Sequence, residues 1–188
     1  MNWIEIIGTI TGIIFIILEI KEINWMWPFG IISTACYIIF FYQSDFYALM
    51  ILQFYYFIIG FYGWYYWVFG GNNPENPLKI NNLKLNLGIK LSIITVVLFF
   101  AIWWFLAHFF NSSNAIMEAI LAALGFVATW MITRKIIEQW YIWIFANSLS
   151  VFVFMKSGLY ATSLLYVFYA LSAFVGYYEW RKSLRLED

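Results

Sequence analysis

Residues 139–147 read Gln-Trp-Tyr-Ile-Trp-Ile-Phe-Ala-Asn, which places two indoles and an amide on one side of an apolar segment. Trp140, Trp143 and Asn147 stand at i, i+3 and i+7, and this spacing aligns them along one face of an α-helix. Two large π-faces followed by an amide are typical of a pocket for a flat, partly polar or cationic ligand. The stretch therefore predicts an apolar helix that carries a ligand-binding stripe.

The composition extends this prediction to the whole chain. Of the 188 residues, 64% are hydrophobic and only 11% are charged, whereas a soluble domain has about 25% charged residues. So few charges cannot cover a surface in water, so we expect the chain to lie in lipid. Aromatic residues make up 24%, more than two interfacial belts require, so some should line an interior. The net charge of zero gives no sign of nucleic-acid binding.

The apolar segments predict an all-α integral membrane protein with seven transmembrane helices. Each segment is close to the roughly 20 residues that cross a bilayer, and uniform runs of this length indicate helices rather than barrel strands. The segments are 3–20, 23–42, 46–69, 87–109, 115–133, 137–155 and 159–180. We predict one membrane domain, 1–188, made of a three-helix repeat (1–69), a polar loop with a linker helix (70–113) and a second three-helix repeat (114–188).

Basic residues predict the orientation. Nine of the ten Lys and Arg residues fall on one side of a seven-span arrangement, and only Lys156 falls on the other. Because basic residues accumulate on the cytoplasmic side, we expect the N-terminus outside the cell and the C-terminus in the cytoplasm.

An internal repeat appears when the chain is shifted by 113 positions. The matched pairs are Glu5 with Glu118, Gly12 with Gly125, Trp27 with Trp140, Tyr47-Ala48 with Tyr160-Ala161, Tyr56 with Tyr169, Gly63 with Gly176 and Trp67 with Trp180. The shift carries the first three segments onto the last three and preserves their direction. Parallel repeats of this kind are known among transporters, which bind substrate near the bilayer midplane.

Three stretches resemble the PnuC family of bacterial vitamin transporters. They are the Trp140-x-x-Trp143 pair with Asn147, the run Asn24-Trp25-Met26-Trp27-Pro28-Phe29-Gly30, and the ending from Gly158-Leu159-Tyr160-Ala161 to Gly176-Tyr177-Tyr178-Glu179-Trp180. The resemblance implies a homotrimer of 3+1+3 protomers, related to the SWEET sugar transporters, in the bacterial inner membrane. It also implies facilitated diffusion of nicotinamide riboside, a precursor in NAD biosynthesis, with trapping by a cytosolic ribosylnicotinamide kinase.

The candidate substrate-binding residues extend beyond the stripe. Gln53 and Tyr56 are matched by Tyr166 and Tyr169, and the stripe itself is matched by Trp27, Gly30 and Thr34. We expect the small Gly30 to leave the gap in which the ligand ring enters opposite Trp143. Other interpretations stay open, because Trp140 could belong to an interfacial belt and Asn147 or Gln53 could join helices.

The residue types favour a carrier over other classes. No carboxylate or basic group falls at mid-span, where a proton-coupled carrier usually has one, so we expect a uniporter without cofactor or metal. Sodium coupling through backbone carbonyls stays open. His108 is the only histidine and no catalytic motif is present, which argues against an enzyme. Thiamine in place of nicotinamide riboside, and a channel or structural subunit, remain as alternatives.

Overall fold

The computed structural model describes residues 3–43, 47–70, 78–109, 115–156 and 160–187, apart from the side chains at 5, 41, 47–49, 154, 161, 162 and 187. These ranges contain seven α-helices, and the only strand-like pairing in them is an isolated bridge between Asn81 and Ile136. The helices are α1 Trp3–Ile20, α2 Met26–Gln43, α3 Tyr47–Phe69, α4 Leu85–Phe109, α5 Ala115–Thr133, α6 Gln139–Lys156 and α7 Tyr160–Glu187. The predicted all-helical architecture is confirmed.

Some sequence predictions fall on parts of the chain that lie outside this description. They concern the loop residues 71–77, the Gly158-Leu159 pair of the family resemblance, and the side chains of Glu5, Tyr47-Ala48 and Ala161 in the repeat. The remaining matched pairs of the repeat lie within the described residues.

Two helices begin later than predicted because the chain first forms a cap. Segments predicted to start at 23 and 137 start at Met26 and Gln139. Glu22 adopts a left-handed φ of 56°, and the N–H of Ile23 bonds to the carbonyl of Leu18 at 2.9 Å. The same arrangement recurs after α5 around Lys135, whose φ is 51°. This Schellman motif ends α1 and α5 in the same way.

The end of α7 also differs from the prediction. The helix continues to Glu187 instead of ending at 180. Its last part contains Arg181, Lys182 and Arg185, all of which are exposed. Charged residues end a membrane span, but they are good helix formers, so the helix itself continues past the apolar segment.

The contacts divide the chain into two compact units. The first consists of Met1–Ile80 together with Ile132–Lys135, and within it α1 packs on α2 and α2 packs on α3. Glycine brings the first two helices close together, since a Cβ on Gly8 would lie 3.2 Å from the Cβ of Cys36. The buried hydroxyl of Ser33 donates to the carbonyl of Gly8 at 2.7 Å. Small residues and a hydroxyl that bonds across the interface are the means by which membrane helices associate.

The second unit consists of Asn81–Met131 and Ile136–Asp188. Its buried apolar cluster is formed by Leu91, Val127, Met131 and Ile136, and α6 packs along α7. The segment before α4 is fixed to the start of α6, because a carboxylate oxygen of Glu138 accepts the N–H of Leu83 at 2.9 Å. The N–H of Ile137 bonds to the carbonyl of Asn81 at 3.1 Å.

Two helices of the second unit are long and apolar enough to cross a membrane on their own. Mean hydropathy reaches 2.3 in α4 and 2.0 in α5. Only 11% of the most apolar part of α4 is buried, and Ile93, Val97 and Phe100 are among its exposed side chains. A long helix that is apolar on its exposed face is suited to contact with lipid.

In the first unit, a tryptophan of α2 lies over a glycine of α3. Trp27 is 2% exposed, and a Cβ on Gly63 would lie 2.5 Å from its Cζ2 atom. Trp67, one turn further along α3, meets Trp27 edge-on, with 5.6 Å between ring centroids and 85° between the planes. The missing side chain of Gly63 is therefore what admits the indole.

The same contact recurs in the second unit at positions 113 residues later. Trp140 is 2% exposed, a Cβ on Gly176 would lie 2.5 Å from its Cζ2 atom, and Trp180 meets it edge-on at 5.5 Å and 90°. Matched residues thus build matched geometry, which supports the predicted duplication.

We predict that Gly63→Ala and Gly176→Ala each destabilise the protein. The new methyl group would overlap the indole and would cost about 1–3 kcal/mol as overpacking. Thermal unfolding in detergent, followed by tryptophan fluorescence, should show a lower midpoint for both variants. Gly88→Ala is the control, because its Cβ would lie at an ordinary 3.4 Å from Leu83. Unchanged midpoints for both test variants would contradict the packing described here.

Candidate functional site

The α6 helix presents the predicted stripe. Trp140, Trp143 and Asn147 all lie within Gln139–Lys156. Trp140 is 2% exposed and Asn147 is 7% exposed, whereas Trp143 is half-buried. An interfacial belt would require an exposed ring, so the burial of Trp140 argues against that interpretation.

The indole N–H of Trp140 has no hydrogen-bond partner among the described residues, although the nitrogen is fully shielded. A buried polar group without a partner is costly, and such groups in native proteins call for an explanation. Trp27 shows the same feature at the matched position of the first unit. A ligand or a water molecule is the partner that would satisfy each N–H.

Two buried serines of α6 and α7 form their hydrogen bonds with backbone carbonyls. The hydroxyl of Ser150 donates to the carbonyl of Ala146 at 2.9 Å, and that of Ser163 donates to the carbonyl of Val151 at 3.0 Å. Both serines are buried, and both are satisfied by backbone. An amide buried in an apolar helix is expensive without hydrogen bonds, which favours Asn147 as a group that meets a polar ligand.

The other predicted residues of the second unit lie on α7. Tyr166 and Tyr169 are half-buried, and their rings meet edge-on at 5.7 Å and 76°. Because α7 packs along α6, these two phenols belong to the same helix pair as the stripe.

The remaining four predicted residues lie in the first unit. Trp27 and Thr34 are on α2, and Gln53 and Tyr56 are on α3. The hydroxyl of Thr34 donates to the carbonyl of Ile31 at 3.0 Å within its own helix. Gln53 and Tyr56 are half-buried, and Tyr56 contacts the ring of Tyr55 at 5.6 Å between centroids. The nine candidates thus fall into one set in each unit.

The expectation of a gap at Gly30 is wrong. A Cβ on Gly30 would lie 2.7 Å from Cδ2 and 3.0 Å from Cε2 of Phe15, so the ring of Phe15 already fills the space. Phe15 in turn meets Trp27 at 6.3 Å between centroids. The matched residues of the second repeat are Trp143 and Ala128. The two repeats have exchanged the large and the small residue.

A cluster of charged and aromatic residues was not predicted as a unit. Lys135 forms an ion pair with Glu22 at 3.1 Å and lies 4.6 Å from the ring centroid of Trp67. The guanidinium of Arg134 lies 4.0 Å from the ring centroid of Tyr66. A signal was present in the sequence, since Glu22 and Lys135 are matched by the 113-residue shift and carry opposite charges.

Comparison with known proteins identifies the family. A family model described as nicotinamide mononucleotide transporter matches residues 2–182. A relative named PnuC is 30% identical and matches 98% of the chain. The chain belongs to the PnuC family of membrane transporters. The predicted family is therefore confirmed, and with it the membrane location and the prediction of a transporter rather than an enzyme.

Curated PnuC relatives match nearly the whole chain. The nicotinamide riboside transporter PnuC of Escherichia coli (strain K12) is 30% identical over 209 residues, which cover 98% of this chain and 87% of that protein. The protein of the same name from Haemophilus influenzae is 24% identical over 186 residues, which cover 98% and 81%.

A solved structure shares the PnuC fold. The crystal structure of the vitamin B3 transporter PnuC superimposes with a TM-score of 0.79 at 24% identity, and the match covers 99% of this chain and 83% of that one. Because the identity is only 24%, this match shows that the two proteins share a fold and shows nothing about a shared substrate.

We predict that Gly30→Trp destabilises the first unit and that adding Phe15→Ala restores much of the loss. The double variant reproduces the Ala–Trp combination of the second repeat, whereas the single variant forces two rings into one space at a cost of about 1–3 kcal/mol. Thermal midpoints of the two single variants and the double variant form a mutant cycle. Strictly additive effects would show that the two positions do not compete for volume.

Proposed function

We propose that the chain carries nicotinamide riboside across the bacterial inner membrane by facilitated diffusion. The observation that carries the proposal is the uncharged Trp140–Trp143–Asn147 stripe on α6, in a chain that belongs to a transporter family. Relatives named for nicotinamide riboside match 98% of the chain. We take the substrate in their name as the candidate for this chain, and the chemistry of the stripe supports that choice.

The stripe suits the two ends of nicotinamide riboside. Its pyridinium ring is flat and cationic, and stacking on an indole would contribute about 0.5–2 kcal/mol. The half-buried Trp143 offers such a face. The amide of Asn147 and the unpartnered N–H of Trp140 can bond to the carboxamide or ribose. No buried acid is then required to balance the ligand charge.

Comparison with the matched residues of the first repeat indicates that the three residues of the stripe have different roles. Trp140 shares its packing against a glycine with Trp27, so part of its function is structural. Trp143 and Asn147 replace Gly30 and Thr34 and are particular to the second repeat. We therefore assign substrate selection mainly to Trp143 and Asn147. Tyr166 and Tyr169, which lie on the helix that packs along α6, are proposed to complete the hydrogen bonds to the ribose.

The riboside is favoured over the mononucleotide named in the family description. A phosphate requires charge-assisted hydrogen bonds, usually from Arg or Lys. In the described helices, basic residues lie only towards the ends, at Lys90, Lys156, Arg181, Lys182 and Arg185. A phosphate at mid-span would lack a partner of opposite charge.

The same distribution supports uniport by alternating access. Carboxylates in the described helices also lie near the ends of the predicted spans, as shown by Glu19 in α1, Glu118 in the first turn of α5 and Glu179 in α7. Proton-coupled carriers usually contain an ionisable group within the membrane. Duplicated carriers commonly alternate by rocking of their halves around a fixed site.

Three further parts of the proposal come from the family resemblance and the charge pattern. The bias of basic residues supports an outside N-terminus and a cytoplasmic C-terminus. The resemblance supports a homotrimer and trapping of the imported riboside by a cytosolic kinase. Phosphorylation would retain the product, because the uncharged stripe offers no site for a phosphate.

We expect purified protein to bind nicotinamide riboside and to reject its mononucleotide in isothermal titration calorimetry. Trp143→Ala removes a stacking surface and Asn147→Ala removes a buried hydrogen bond, so each should lower the affinity for the riboside by roughly tenfold. Trp104→Ala and Ser148→Ala are matched controls at exposed positions and should retain affinity. Tight binding of the mononucleotide would refute the assignment, and a preference for thiamine in the same titrations would identify the alternative vitamin.

Transport by uniport predicts that uptake does not depend on a proton gradient. Proteoliposomes that contain only this protein should equilibrate radiolabelled nicotinamide riboside at the same initial rate with and without a protonophore. Accumulation above the external concentration, or loss of uptake when the gradient collapses, would instead require coupling to an ion. Unsaturable flux together with ionic conductance would indicate a channel.

A further inference from the structure

The turn between α5 and α6 is tied to the turn between α1 and α2 by one ion pair. Nζ of Lys135 lies 3.1 Å from Oε2 of Glu22, and the two side chains are 10% and 24% exposed. The same ammonium group lies 4.6 Å from the ring centroid of Trp67. The pair is thus shielded enough to be attractive and open enough for water to compete with it.

Neighbouring contacts hold the same turn against α3. Arg134 donates to the hydroxyl of Tyr62 and lies 4.0 Å from the ring centroid of Tyr66. The indole N–H of Trp67 donates to the carbonyl of Ile132 at 3.0 Å. Residues 132–135 accordingly belong to the first compact unit, although the helices on either side of them belong to the second.

The backbone at both ends of the ion pair is strained. Glu22 and Lys135 have φ values of 56° and 51°, a conformation that glycine or asparagine usually adopts at a helix end. A long charged side chain at such a position is uncommon and points to a role beyond the cap. The two residues are also matched by the 113-residue shift, so the strain is present at both equivalent turns.

We propose that the Glu22–Lys135 pair is a latch of the carrier. It holds the two turns together in the state of this structure and breaks when this end of the carrier opens. The inference rests on the proposed transport function, because only a carrier has to separate the turns in each cycle. The positive-inside pattern assigns the latch to the cytoplasmic end.

The decisive experiment measures opening without substrate. Cys36→Ser removes the native thiol, and Thr133→Cys places a new one at a fully buried position two residues before Lys135. In detergent-solubilised full-length protein, reaction with a water-soluble maleimide reports exposure of that thiol. Glu22→Gln and Lys135→Gln should each raise the labelling rate by roughly threefold to tenfold, as expected for the loss of a partly shielded ion pair.

The charge swap Glu22→Lys with Lys135→Glu is the critical variant. Both positions have the same left-handed backbone, so the exchange restores the ion pair without a new conformational demand. Its labelling rate should return towards that of the parent, whereas the control Lys84→Gln, an exposed cation elsewhere, should not change the rate. Glu22→Asp keeps the negative charge and suits the left-handed backbone better, but its side chain is too short to reach Lys135. The thiol of this variant should therefore be labelled faster than that of the parent, although the fold is unperturbed.

Two results would overturn the latch. The first is a parental labelling rate for Glu22→Gln and Glu22→Asp, and the second is a swap that labels as fast as the single variants. The labelling assay does not involve nicotinamide riboside. Charge-dependent labelling in a protein that fails to bind the riboside would therefore count against the proposed substrate while it supports the latch.

Discussion

An indole that lies in the space left by a glycine determines how two helices meet in each unit, α2 with α3 in the first and α6 with α7 in the second. Trp27 over Gly63 and Trp140 over Gly176 bring a large aromatic surface into contact with backbone. Lipid is as apolar as the side chains it surrounds, so membrane helices associate mainly through close packing. A ring that fits against bare backbone provides such packing, and a second tryptophan edge-on to the first completes it in both units.

The repeated contact clarifies which parts of the candidate site are specific. Features that the two repeats share, such as the buried Trp27 and Trp140, belong to the common scaffold. Positions at which the two repeats differ do not maintain this shared packing, so their side chains are available to bind one ligand. Trp143 and Asn147 are of the second kind, and the exchange of Phe15 and Gly30 for Ala128 and Trp143 shows how the packing accommodates the difference.

Much of the fold could be predicted because composition and segment length reflect the lipid environment directly. The number of helices and the positions of the stripe residues on α6 followed from local pattern, whereas the family followed from the resemblance of three stretches to known members. The helix starts after Glu22 and Lys135 were misplaced, since sequence patterns assign left-handed caps to glycine and neither residue is one. The prediction of a gap at Gly30 was also wrong, because a sequence shows that a residue is small but not which neighbour fills the space beside it. Phe15 fills it from α1, and only three-dimensional packing reveals that.

The opposite charges at the two equivalent turns bear on how the protein could have arisen. A primordial three-helix peptide that paired with an identical copy would bring like charges together at this turn, either two carboxylates or two ammonium groups, and they would repel one another. The attraction between Glu22 and Lys135 requires that the two matched positions carry different residues. The two matched positions therefore depend on each other, and a chain with the same residue at both of them would lose this attraction.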